Sequence, residues 1–223
     1  MQIDRFLSIY HDLIGTDTKE EEFAAIKTLC RGLSSQKLGK LLNAAVGFLE
    51  PNEIYCEIGS FAGYTLISAG KDNYDKKCVG IDNFNIKMYH KPELQEAIHK
   101  RLLTNLDHFQ HPKTVFINKD FREFAVPEED RIGVFYVDGD HAKEETIDQL
   151  KWGHQFLADR ALVVLDDISI PGVHDAASEW IATHTKEYKM FFYMDCFYPH
   201  NVPRQNTVFW NGLCMMRFER KSR

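Results

Sequence analysis

Val134-Phe135-Tyr136-Val137-Asp138-Gly139-Asp140-His141 is an apolar run that stops abruptly at two carboxylates and an imidazole. Ala161-Leu162-Val163-Val164-Leu165-Asp166-Asp167 repeats the design further along the chain. Short, apolar and carrying β-branched or aromatic residues, each reads as a strand buried on both faces, the kind found inside parallel sheets. Open parallel sheets bind ligands outside the carboxyl ends of their strands. Two such ends side by side gather Asp138, Asp140, His141, Asp166 and Asp167 into one small volume. Unpaired carboxylates repel, so this cluster calls for a cation or shared protons.

Outward from these two runs, strand and helix alternate. Ile54–Ile58 reads as the first strand, followed by a glycine-bearing turn and a helix from Gly63 to Ala69. Lys77–Asp82 is the second strand, and a long helix after Pro92 spaces Leu94, Ile98, Leu102 and Leu106 four apart. Thr114–Asn118 is the third, with a short turn opening at Asp120-Phe121. Glu144 to Leu157 is the helix between the fourth and fifth strands, and a further helix follows Pro171-Gly172. Met190–Met194 and Thr207 to Phe218 then read as two strands with no helix between them, which must be antiparallel. A loop carrying Tyr198-Pro199-His200-Asn201-Val202-Pro203 joins them, and Asn211-Gly212 offers a tight hairpin turn.

Before Pro51 the pattern is helical. Phe6, Tyr10, Leu13 and Ile14 share one helical face, Thr18-Lys19-Glu20-Glu21 has capping-box form, and a third helix starts near Gln36. No linker separates this region from the strands. The expected fold is α/β: a doubly wound, Rossmann-like sheet of five parallel βα units followed by an antiparallel strand pair. Residues 1–50 form a helical cap on the same domain as residues 51–223.

The chain of 223 residues suits one domain, and 44% apolar and 13% aromatic residues favour a folded core over disorder. A net charge of −6 gives no electrostatic footprint for nucleic acid, and the basic 217–223 tail reads as a solvated end. The five cysteines lack paired spacing, Asp4, Arg5 and Asp12 interrupt any apolar leader, and no apolar run approaches a membrane span. A reduced, cytoplasmic protein is expected.

The first turn, Glu57-Ile58-Gly59-Ser60-Phe61-Ala62-Gly63, indicates which ligand the sheet holds. A dinucleotide fingerprint needs a second glycine where Phe61 stands, so a pyrophosphate is poorly served. Glu57 at the strand tip would repel a diphosphate but suits an amine. The following helix N-terminus offers N–H groups to a carboxylate, and Asp82 is placed to accept from a ribose. An amino acid joined to a ribose describes S-adenosylmethionine.

Glu57 to Thr65 resembles motif I of class I S-adenosylmethionine-dependent methyltransferases, in the E-x-G-x-x-x-G-Y-S/T form of the catechol-type, metal-dependent O-methyltransferases. The D-G-x-H after the fourth strand, the D-D after the fifth and the Gly172-to-Trp180 helix resemble still more the macrocin- and mycinamicin-type sugar O-methyltransferases. The resemblance covers roughly residues 50 to 185. It implies that Glu57, Gly59, Ser60, Gly63 and Thr65 hold the methionine part, Asp82 the ribose, and Asp120 and Phe121 the adenine. Asp138, Asp166 and Asp167 fall where these families place Mg²⁺ ligands, with Asp138 also near the cofactor's amine. His141 falls where they carry a general base. The third ligand is Asn in catechol-type enzymes and Asp167 here, which brings the site closer to the sugar-modifying group.

An alcohol is a poor nucleophile until deprotonated, a divalent cation lowers its pKa, and a histidine near 6.5 accepts the proton at neutral pH. The expected activity is Mg²⁺-dependent O-methyl transfer to a small hydroxylated acceptor, a sugar or vicinal diol before a catechol. No nucleic-acid or membrane partner is expected, and self-association is left open. Plainer roles compete: a solvated strand end for Asp166-Asp167, a helix cap for His141, and lone surface histidines for His174 and His200. Asp140 reads as a solvated neighbour. Two rival functions stand beside this one: a D-x-D glycosyltransferase built on Asp138-Gly139-Asp140, and a binding domain that has lost turnover.

Overall fold

The computed structural model describes residues 1–15, 20–85, 91–195 and 208–221. Its strands are β1 (Glu53–Ile58), β2 (Lys77–Ile81), β3 (Thr114–Ile117), β4 (Arg131–Val137), β5 (Leu157–Asp166), β6 (Tyr188–Met194) and β7 (Leu213–Glu219). The helices are α1 (Ile3–Leu7), α2 (Tyr10–Gly15), α3 (Glu20–Cys30), α4 (Gln36–Gly47), α5 (Tyr64–Gly70), α6 (Pro92–Phe109), α7 (Lys143–Phe156) and α8 (Pro171–Thr183). The strands form one sheet in the order β3-β2-β1-β4-β5-β7-β6. β1 to β5 run parallel, while β7 is antiparallel to both β5 and β6. Strand order reverses between β1 and β4, and such a switch point opens a crevice at the carboxyl edge.

Alternation along the buried strands assigns their side chains to two cores. Cys56, Ile58, Phe135, Val137, Val163 and Leu165 pack with Leu150 and Trp152 of α7 and Trp180 of α8. Tyr55, Tyr136, Leu162 and Val164 face the other way, into Phe6 of α1, Leu38 and Leu42 of α4, and Leu66 of α5. Fully burying a Phe or Leu side chain stabilises by about 1.5–3 kcal/mol, so both layers hold the sheet firmly. The helices before Pro51 thus share a core with the strands. α3 adds Phe23, Ile26 and Cys30 around Tyr64 and Ile67 of α5. Tyr64 also donates its hydroxyl to the carbonyl of Ser35, the α4 N-cap, 3.1 Å away.

Three local expectations are corrected. The single helix expected through Phe6 and Ile14 is two, because the Ser8 hydroxyl donates back to the Arg5 carbonyl at 2.7 Å and the chain turns before Tyr10. The last strand starts at Leu213. Gly212, at φ +85°, ends a turn in which its N–H meets the Phe209 carbonyl, so Asn211-Gly212 precedes the strand and is no hairpin within it. β5 begins four positions before the apolar run, directly from α7. Thr18 and Lys19 of the capping box, Thr207, and the loop with His200 lie outside the described residues.

Candidate active site

Register builds the site. Ile81, Ile58, Val137 and Leu165 are neighbours across β2, β1, β4 and β5. The residues that follow them, Asp82, Gly59, Asp138 and Asp166, therefore form one row along the carboxyl edge. Gly59 lies at φ +94°, and a Cβ there would sit 2.5 Å from the Asp138 carbonyl carbon and 3.0 Å from the Gly139 nitrogen. Only glycine allows this turn and the β4 tip to approach so closely. Asp138 N–H donates to the Ile58 carbonyl and Gly59 N–H to that of Ile81, at 3.0 and 2.9 Å.

On the β1–β3 side, Glu57 is fully buried. Its Oε2 accepts from the Tyr55 hydroxyl at 2.6 Å, and the buried Ser60 and Thr65 hydroxyls lie close enough to favour its charged form. Burial pushes the Glu57 carboxyl up to about 7, against the pull of the Tyr55 hydrogen bond. A buried acid met only by neutral hydroxyls, with no cation beside it among the described residues, fits a cationic ligand group. Gly63, at φ +86°, caps α5, and buried Thr65 opens it.

Asp82 holds the turn itself. One oxygen accepts from Phe61 N–H at 2.8 Å and the other from Phe84 N–H at 2.7 Å, which fixes Phe61 at φ +46°. Burial raises this carboxyl and those N–H groups lower it, with a net rise. A carboxylate accepts about four hydrogen bonds, so capacity for hydroxyls remains. Asp120 caps the short turn Phe121–Glu123 and meets the Asn83 amide at 3.4 Å, beside the β2 tip. Phe121 is buried edge-on to Trp152, with the Arg122 guanidinium 4.4 Å over its ring.

On the β4–β5 side, Asp138, His141 and Asp167 each bring a ligating atom within 4.8 Å of the others. His141 Nε2 is 3.0 Å from Asp167 and 3.8 Å from Asp138. Asp166 stands behind this trio. Its carboxylate accepts from the Tyr136 hydroxyl and from Asp167 N–H, and Tyr136 also reaches Asp138 at 3.0 Å. Burial and the neighbouring acid charges push Asp138 up to about 6 and Asp166 well above the usual carboxylate range. Burial alone would lower His141, but its polar contact with Asp138 and the charges of Asp167, Asp138 and Asp166 outweigh that and take it up to about 9. Crowded, partly buried carboxylates with hard oxygen donors fit a divalent cation.

Asp140 turns to Ala142 N–H at 2.8 Å, and its carbonyl accepts from Gln149. One Asp140 oxygen is thus engaged at the turn before α7. His174 lies beside Asp175, outside the trio.

Residues 56–168 match the model of a methyltransferase domain family. The chain belongs to that family. Among solved structures, this methyltransferase is similar to the O-methyltransferase TomG from Streptomyces achromogenes, involved in tomaymycin synthesis and solved with S-adenosylmethionine. That pair shares 14% identity over 92% of this chain and 91% of TomG, with a TM-score of 0.64. An O-methyltransferase from Bacillus cereus, in complex with S-adenosylhomocysteine, shares 13% identity over 96% of each chain, at 0.63. An rRNA methylase from Streptococcus thermophilus shares 13% over 80% of this chain and 94% of that one, at 0.55. At such identities the likeness is one of fold. No curated protein matches.

Two residues of the methyltransferase site escaped the sequence reading. Asn211 donates its amide to Asp167 Oδ1 at 2.5 Å, while its carbonyl accepts from Ser169 N–H. Nothing local marks Asn211, because only the fold brings the segment before β7 to the β5 tip. Tyr136 was legible in principle. Tyr55-Cys56-Glu57 and Tyr136-Val137-Asp138 both place a tyrosine two residues before the tip acid. In a strand that spacing puts the hydroxyl on the acid's own face.

Proposed function

We propose that this methyltransferase transfers the methyl group of S-adenosylmethionine to a hydroxyl of a small molecule, a sugar or other vicinal diol in preference to a catechol. In this reading Mg²⁺ is held by Asp138, Asp166 and Asp167, His141 is the general base, and the setting is cytoplasmic. Asp138 carries the reading. Its backbone is pressed against the Gly59 turn of motif I, and its side chain belongs to the acid–histidine trio. One residue thus ties the donor turn to the acid cluster. Among the described residues no helix is long and apolar enough to cross a membrane.

When bound, S-adenosylmethionine supplies an electrophilic sulfonium methyl. A hard divalent cation supplies a lowered pKa at an acceptor hydroxyl. The chain does the rest. Glu57, buried with no cation beside it among the described residues, receives the donor's ammonium, and Asp82 keeps the Phe61 turn in place while accepting from the ribose. His141, 3.0 Å from Asp167, takes and holds the acceptor's proton. The acid charges that keep His141 protonated in the bare protein are the ones a cation neutralises, so loading the acids frees the imidazole to act as a base.

Calorimetry tests the donor half: S-adenosylhomocysteine binds, and Asp82→Ala loses most of that binding. Tight binding of NAD instead would overturn the cofactor assignment. For the metal half, Asp167→Ala or a chelator abolishes turnover of a vicinal-diol acceptor and leaves S-adenosylhomocysteine affinity nearly intact. Full activity in the chelated enzyme refutes the cation's role.

A further inference from the structure

Away from the acid cluster, one cation is placed unusually. Lys27 of α3 is half-buried, with its ammonium 4.6 Å from the centroid of the Trp210 ring. Among the described residues no carboxylate or other hydrogen-bond acceptor meets it. Burial lowers its pKa, and among the described residues no acidic neighbour opposes that. Among those residues the Trp210 Nε1 is likewise buried with no partner. A desolvated ammonium and an unsatisfied indole N–H are both donors awaiting an acceptor.

Their place in the fold ties them to the active site. Trp210 directly precedes Asn211, whose amide is bonded to Asp167, so the Trp210 backbone lies within about 10 Å of that carboxylate. Lys27 comes from α3, which packs on α5, the helix that opens from the motif I turn. The pair joins the N-terminal helices to the segment beside the β5 tip. The charges are segregated, with Asp138, Asp166 and Asp167 at the strand tips and an ammonium on an aromatic face beyond Asn211.

We infer that Lys27 and Trp210 form an acceptor subsite for an anionic group, so that the substrate is a vicinal diol that also carries a carboxylate or comparable anion. This rests on the methyltransferase reading above. The hydroxyls face the acid cluster and its cation, the flat or apolar body of the acceptor lies against the indole, and the anion meets the ammonium and the indole N–H. A neutral diol lacks the last contact.

The test uses two matched probe pairs, 3,4-dihydroxybenzoate against catechol and glucuronate against glucose, titrated by calorimetry into full-length protein with S-adenosylhomocysteine and Mg²⁺ present. In the wild type the anionic member of at least one pair binds about tenfold or more tightly than its neutral partner. Lys27→Met brings that ratio close to one, Lys27→Arg keeps it, and the neutral probe's affinity and that of S-adenosylhomocysteine stay as in the wild type. A merely structural cation–π contact would alter melting temperature in Lys27→Met without moving the ratio. Equal affinities in the wild type, a ratio that survives Lys27→Met, or binding of none of the four probes overturns the subsite while leaving the methyl-donor site standing. Failure of the wild type to bind S-adenosylhomocysteine removes the underlying methyltransferase reading instead, and the subsite with it.

Discussion

Glu57→Gln should stabilise the ligand-free protein while weakening its hold on the methyl donor, and the gain should grow with pH. The buried carboxyl titrates at about 7 against an ordinary 4.5. Below 4.5 it is neutral in both folded and unfolded chains and contributes no pH dependence. Between 4.5 and about 7 the unfolded chain releases the proton and the folded one keeps it, so stability falls by about 1.4 kcal/mol per pH unit. Above 7 the loss is complete, at roughly 3 kcal/mol. Glutamine removes the titration, keeps an oxygen for the Tyr55 hydroxyl, and offers its amide to the neighbouring Ser60 hydroxyl. Urea unfolding at pH 5 and pH 8 measures this directly. The variant and the wild type should be nearly alike at pH 5 and separate by about 2–3 kcal/mol at pH 8. Calorimetry at pH 8 should show S-adenosylhomocysteine bound about tenfold to a hundredfold more weakly by the variant, since a charged hydrogen bond contributes roughly 1.5–3 kcal/mol. A wild type that is no less stable at pH 8 than at pH 5, relative to the variant, would refute the buried-acid account.

Gly59→Ala forces a methyl group against the Asp138 carbonyl and places alanine at φ +94°. Strain and overpacking together cost about 2–5 kcal/mol, a melting point lower by roughly 5–15 °C for a chain of this size. An unchanged melting curve would mean that the two strand tips are not locked. Asn211→Ala releases Asp167 Oδ1, and loss of that orienting contact should weaken Mg²⁺ binding about tenfold by calorimetry. S-adenosylhomocysteine affinity should not move, and Mg²⁺ affinity equal to that of the wild type would count against Asn211 as an orienting residue.

The core of the fold was legible because buried parallel strands are written as short apolar runs ended by charge, and the acid-tipped runs before Asp138 and Asp166 met that rule plainly. Motif I was readable for a similar reason: Gly59 and Gly63 stand where the backbone enters φ values that other residues resist. The errors fall where local pattern and tertiary context part. Asn211-Gly212 has hairpin chemistry, yet packing of the Asn211 carbonyl on Ser169 N–H makes it a strap before β7. Asp166 and Asp167 look equivalent in sequence, but φ +56° at Asp167 turns one toward His141 while the other stays on Tyr136. Long-range pairings of this kind, like that of Lys27 with Trp210, leave no local trace.

The contact between Gly59 and Asp138 has an evolutionary corollary. Donor turn and acid cluster sit on adjacent strands of one sheet, so on the proposed function the spacing between methyl donor and metal would be set by hydrogen-bond register rather than by any loop. The acceptor subsite proposed above, in contrast, hangs on α3 and on the segment before β7. New acceptors can therefore be acquired by redrawing those peripheral pieces, with the reaction distance inherited unchanged.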